Sequence, residues 1–170
     1  MSPGKECKES SIEKPDLFTH ITRTRILHVQ DLRGSLNRIA LELIKYESGQ
    51  GVKERLSFFL QEGEALALFE MIRHHSILHQ QEGVIFDEMR GAPNGNHLVR
   101  LMRVSVSDQG TVIRIGAGKG ILRGQLLVLS GKPTSTLALT LSRMKSLEMS
   151  LLVLRTLYRD VSGVTMTSGP

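Results

Sequence analysis

The chain has 170 residues, 40% of them hydrophobic and 23% charged, with a net charge of +5. That length can bury an adequate core without staples, so one domain is expected. No apolar run reaches the ~18–20 residues of a membrane span, and Cys7, being alone, excludes a disulfide framework or a cysteine-based zinc site.

A lone cysteine favours a reducing intracellular compartment: cytoplasm, nucleoid or an organelle interior. The opening MSPGKECKESSIEKP has neither the apolar core of a secretory signal nor the acid-poor bias of a transit peptide. Residues 1–17 are therefore expected to be a disordered arm. Residues 18–161 form the folded domain, and 162–170 a flexible tail.

The first strand is expected over Thr19–Val29, with Arg23 and Arg25 on one face. A turn at Asp31-Leu-Arg-Gly follows. The next strand, Leu36–Tyr46, puts Ile39, Leu41 and Leu43 on one side and Arg38, Ala40 and Glu42 on the other. Ser48-Gly-Gln-Gly supplies a hairpin loop. Arg55–Leu60 turns Leu56, Phe58 and Leu60 inward, leaving Arg55, Ser57 and Phe59 outside.

From Glu62 the period lengthens to that of a helix, with Ala65, Leu68, Phe69 and Ile72 on one stripe and acids in the first turn. That helix ends by Gln80. Residues Gly83–Asn96 read as a connector. From His97 on, Asp108-Gln-Gly, Lys119-Gly and Gly131-Lys-Pro separate four strand-length segments. Ile113 and Ile115 point inward and Arg114 outward, while Leu137, Leu139 and Leu141 share a face.

A closing helix over Arg143–Asp160 carries Leu147, Leu151, Leu154 and Tyr158 on one stripe, with Met144, Met149, Leu152 and Val153 around it. An apolar surface that wide exceeds what one sheet covers. Two explanations stay open: burial between two sheets, or a subunit interface made by Leu147, Leu151, Leu152, Leu154 and Tyr158. The fold class is α+β, two β-β-β-β-α repeats giving two packed antiparallel sheets with helices between or behind them.

Charge is segregated along the chain. Arg90, Arg100, Arg103, Arg114, Lys119, Arg123 and Lys132 face only Asp108, whereas Glu62, Glu64, Glu70, Glu82 and Asp87 face only Arg73. Basic strands suit a polyanion.

Catalytic motifs are absent. Gly116-Ala-Gly-Lys-Gly lacks the glycine and the Ser/Thr of a phosphate-binding loop, since positions 113 and 120 are Ile and Gly. It reads as a hairpin turn with Lys119 at its tip. His75 and His79 stand four apart with His74 beside them, but no carboxylate set completes a metal site. No cofactor or metal is expected, and no enzyme activity.

Arg33-Gly-Ser-Leu, Arg55-Leu-Ser-Phe-Phe-Leu before an acidic helix start, Phe86-Asp87 leading to Leu98-Val99-Arg100, and a last strand running into a long apolar helix stand in this order. Over about Phe18 to Tyr158 the arrangement resembles the Whirly single-stranded DNA-binding proteins. More distantly it is similar to the kinetoplast mitochondrial RNA-binding proteins of the same fold. The Whirly motif Lys-Gly-Lys-Ala-Ala-Leu is replaced here by Thr22-Arg-Thr-Arg-Ile-Leu. The resemblance implies a homotetramer assembled through helices, with single strands along the sheets.

The residues themselves supply cations to offset phosphate charge: Arg23, Arg25, Arg38, Arg55, Arg100, Arg103, Arg114, Lys119 and Arg123. Phe59 is the expected stacking platform for an unpaired base, and Tyr46 a weaker one. The function expected is non-catalytic binding of single-stranded DNA, or RNA, with little sequence preference, in DNA repair, transcription regulation or RNA processing. The alternative is a structural or protein-interaction module assembling through the last helix.

Overall fold

The computed structural model describes residues 16–79, 82–91 and 94–162. Two antiparallel sheets and three helices give an α+β fold. In the first half, β1 (Asp16–Ile21), β2 (Arg25–Asp31), β3 (Ile39–Glu47) and β4 (Gly51–Leu60) lie in chain order. A single helical turn, α1 (Arg33–Leu36), joins β2 to β3, and α2 (Glu62–Arg73) follows β4. In the second half, β5 (Val84–Arg90), β6 (Leu98–Ser107) and β7 (Gly110–Arg123) also run in order. The far edge of β7 pairs with β8 (Leu126–Leu129) near its end and with β9 (Ser135–Leu141) near its start, before α3 (Arg143–Ser162). Each half is thus a meander followed by a helix, with a fifth strand in the second.

Several elements differ from expectation, among them the strand expected from Leu36, which begins at Ile39 because Leu36 closes α1. The strand expected over Thr19–Val29 is two strands, because Thr22 turns the chain. Its hydroxyl accepts from the Arg25 N–H and donates to the Arg25 carbonyl, both at 3.0 Å. A local side-chain bond of this kind competes with strand pairing, whatever the β-propensity of Thr and Ile. β1 also begins at Asp16, two residues inside the span expected as an arm; residues 1–15 lie outside the described residues.

The connector at Gly83–Asn96 contributes β5, whose residues alternate in burial and pair with β6 from Val84↔Val104 to Arg90↔Leu98. Lys119-Gly120 is not a turn. It lies within the 14-residue β7, and the chain reverses at Gly124, where φ is 64°. Gly116, Gly118 and Gly120 fall on one face of β7, and there Pro133, Leu129 and Leu127 approach the backbone. Those glycines serve close packing, and the β6–β7 register passes Gly116 and Gly118 without a shift.

Cross-strand pairing explains the core. Leu41 opposes Val29 and Phe58, Leu43 opposes Leu27 and Leu56, and Ile39 opposes Leu60. The second sheet answers with Met102 opposite Ile115, Val104 opposite Ile113, and Leu137 and Leu139 beyond them. Together with Ala65, Leu68, Phe69 and Ile72 of α2 they form one buried cluster. Each such side chain contributes roughly 1.5–3 kcal/mol on leaving water. The capping of α2 is local: the Gln61 N–H donates to Glu64 at 2.8 Å, and Gln61 reciprocates at the helix start.

Helix α3 packs on α2 and touches β1, β7 and β9. Its buried face is Ser146, Met149, Ser150, Val153, Leu154 and Leu157. Of the stripe expected there, only Leu154 is in the core; Leu151 is 48% exposed and Tyr158 43%. The two serines explain the rotation. Ser146 and Ser150 satisfy their hydroxyls on the carbonyls of Ser142 and Leu147, each at 2.9 Å. Small and internally bonded, they let the helix backbone sit close to its neighbours.

Asp31 anchors the turn into α1. Arg33 holds its carboxylate at 2.7 and 3.0 Å and reaches Glu62 of α2 at 3.1 Å. The Arg33 hydrogen bonds depress the Asp31 pKa against the opposing effect of burial. A depressed carboxylate pKa gives stability that is present above the unfolded value near 3.8 and lost as pH falls through the folded one. Asp31→Asn is therefore expected to lower stability at pH 7 and to flatten the acid limb of a urea-midpoint against pH profile. An acid limb as steep as that of the parent would show that Arg33 does not hold the carboxylate.

Candidate nucleic-acid interface

The outer face of the second sheet carries the most coherent surface. Antiparallel register places Ile85, Arg103, Arg114 and Ala138 in one row across β5, β6, β7 and β9. The next row is Asp87, Leu101, Gly116 and Thr136. Because Gly116 has no side chain, the second row has a gap between Leu101 and Thr136, and Pro133 overhangs it. The result is a groove of about 400 Å³, apolar in lining, with Arg103 and Arg114 along one side. That volume is at the low end of the ~300–1,000 Å³ of small-molecule clefts, so it suits a flat ring better than a large cofactor.

Arg103 and Arg114 are direct cross-strand neighbours. Like charges so placed destabilise a sheet. Arg103 is partly offset: its Nε donates to the Glu82 carbonyl at 2.6 Å and its guanidinium lies 3.7 Å from the Glu82 carboxylate. Arg114 is exposed and has no ion pair among the described residues. The pair thus lies beside a groove that is apolar in lining, which places positive charge next to apolar surface.

The other residues expected at the site are not brought to this face. Arg100 opposes Ala117 and Lys119 opposes Leu98, on the other side of the sheet from Arg103 and Arg114. Arg100 instead bonds Glu88 at 3.2 Å, and Glu88 also holds Arg90 at 2.9 Å. Both guanidinium groups lie over the Phe59 ring, at 5.5 Å for Arg90 and 5.8 Å for Arg100. Phe59 is therefore no open platform. It is clasped between β5 and β6, tying the first sheet to the second through cation–π contacts of about 0.5–2 kcal/mol each.

On the first sheet, Arg23 is exposed in the β1–β2 turn and Arg55 pairs with Glu42 at 3.7 Å. Arg38 bonds the Asn37 carbonyl at 3.3 Å. Arg25 is half-buried, with its Nε lacking a hydrogen-bond partner. Arg123 is exposed beside the β7–β8 turn. Tyr46 donates to the Thr22 carbonyl and so braces the β1–β2 turn. These expected cations occupy several surfaces, and of them Arg103 and Arg114 line the groove among the described residues.

Ile85, Leu101, Pro133 and Thr136 were not singled out by sequence. The usable signal was the glycine at every second position of β7, which on a strand marks one face left open to close approach. Among the described residues no group of three or more His, Cys, Asp or Glu could hold a metal ion. No helix there is long and apolar enough to cross a membrane. Comparison with protein-family models finds none that matches the chain, and none of the curated proteins matches it.

Proposed function

We propose that the chain is a non-catalytic single-stranded nucleic-acid-binding protein of Whirly-like fold, DNA being favoured over RNA by that resemblance. It engages a strand on the outer face of the second sheet. The observation that carries this reading is the Arg103–Arg114 pair beside the groove of Leu101, Gly116 and Pro133. Guanidinium groups meet phosphates and release counterions, while the apolar groove receives a base. No row of aromatics accompanies them, so backbone contact dominates and sequence preference is weak.

Affinity for an oligo-dT, followed by fluorescence anisotropy against salt, is expected to fall linearly in log–log form, by about 0.7 in slope per phosphate contacted. Failure to bind single-stranded DNA or RNA at low salt would overturn the proposal. Equal-length DNA, RNA and duplex competitors rank the ligands.

Self-association is a second reading with its own support. The face of α3 turned away from the core presents Met144 at 75% exposure together with Leu151, Leu152 and Tyr158. An isologous contact centred between Leu151 and Leu152 would set Glu148 against the Arg155 of a second copy. Leu154 is excluded from it, being buried. Leu151→Glu with Leu152→Glu is expected to reduce the mass measured by light scattering below that of the tetramer the Whirly resemblance implies, by removing this one two-fold contact. An unchanged mass would assign assembly elsewhere.

A further inference from the structure

A second, smaller recess lies away from the Arg103–Arg114 face. It is about 160 Å³ and is lined by His75, Val106, Gly110, Thr111 and Arg143. Thr111 is on the face of β7 shared with Ile113 and Ile115, opposite to that of Arg114. Three features converge there.

His75 follows the end of α2 with a φ of 54°, in the left-handed region. Just past a helix C-terminus glycine adopts that conformation most cheaply. A histidine there costs more than a glycine, and strained backbone clusters at ligand-binding positions. The His75 ring is exposed and makes no hydrogen bond or ion pair among the described residues.

Thr111 is only 6% exposed, yet its hydroxyl has no hydrogen-bond partner among the described residues. Lining the recess, this hydroxyl is free to donate to an oxygen placed inside it.

Arg143 opens the 20-residue α3 and has no ion pair among the described residues. Ser142 already accepts the N–H groups of Lys145 and Ser146. The first N–H groups of α3 remain outside the helical ladder, at the positive end of its dipole. No carboxylate lines the recess among the described residues.

We infer that His75, Thr111 and Arg143 form a binding site for a phosphoryl group. The cavity holds a tetrahedral oxyanion and excludes a nucleoside. Arg143 and the helix N-terminus supply positive charge, Thr111 a hydroxyl donor and His75 a ring N–H. This inference stands apart from the proposed strand-binding face and needs none of its residues. The phosphoryl group is either free phosphate or the 5′ end of a strand.

Inorganic phosphate, titrated by calorimetry against chloride at matched ionic strength, is expected to bind the intact protein. Thr111→Val keeps the side-chain shape and is expected to leave the melting temperature unchanged or raised while weakening phosphate at least about tenfold. His75→Gly relieves the backbone, so a higher melting temperature with weaker phosphate binding is expected. Arg143→Gln loses the most affinity. No phosphate binding by the parent protein, or parental affinity in either Thr111→Val or His75→Gly, overturns the inference.

Two oligo-dT ligands differing only in a 5′ phosphate separate the sources. A preference for the phosphorylated strand that Thr111→Val abolishes identifies a strand end. Equal binding of both strands, with inorganic phosphate still bound, identifies free phosphate.

Discussion

Arg103→Glu combined with Arg114→Glu is expected to weaken single-strand binding about a hundredfold at low salt, the largest functional effect of any surface change. Two phosphate contacts are lost and two repulsive charges are put in their place. Since a single-strand contact contributes about 0.7 to the salt slope, the log–log line should also become shallower by about 1.4. Folding should survive, because the substitution exchanges one like-charge pair on adjacent strands for another without touching a buried side chain. Arg103 does release its bond to the Glu82 carbonyl, so circular dichroism and thermal melts belong beside the binding curves.

Arg100→Glu is the informative contrast. Its guanidinium faces Glu88 and the Phe59 ring on the other side of the sheet. Reversing it places two carboxylates together and opens the clasp between sheets, so it should lower the melting temperature with a smaller effect on affinity. Parental binding by the double variant, or a full loss of binding by a folded Arg100→Glu protein, would move the interface off the outer face.

Gly110→Ala is expected to cause the largest loss of stability from a single methyl group, at least about 3 kcal/mol. Gly110 has a φ of 133°, and a Cβ there would lie 2.0 Å from the Leu141 carbonyl oxygen. That oxygen belongs to the end of β9, which pairs Leu141 with Thr111. The backbone cannot rotate away as a side chain would, so β7 and β9 must separate or the turn from Ser107 must distort. A fall of roughly 6–12 °C in melting temperature should accompany it.

Gly49→Ala is the matched control. Gly49 also has a positive φ, 78°, but a methyl group added there would meet nothing within 4 Å. Only the conformational cost remains, about 1–2 kcal/mol. Urea midpoints of the two variants separate steric from dihedral effects. Equal losses would mean that β7 and Leu141 are not in such close approach.

What could be read from residues alone was whatever depends on near neighbours in the chain. Leu41 and Leu43, or Leu137, Leu139 and Leu141, share a face because strand side chains alternate, and all are buried. The stripe Ala65, Leu68, Phe69 and Ile72 follows from helical spacing in the same way. The meander-then-helix order of both halves was legible for this reason, and so was the outward direction of Arg114.

Apart from the Thr22 turn, which its own bonds to Arg25 make, the places that went otherwise depend on partners distant in sequence. Val84–Arg90 becomes a strand because β6 offers it an edge. Phe59 looks exposed on its own strand until Arg90 and Arg100 arrive from the other sheet.

Helix α3 turns Ser146 and Ser150 inward with Leu154 and Leu157, and Leu151 and Leu152 outward, where it packs on α2 and the strands. Periodicity specifies which side chains stand together. Which face is covered, and by what, is set by the register and packing of elements that meet only after folding. For this protein, that is why a chain-long row of arginines resolves into one cross-strand pair at a groove.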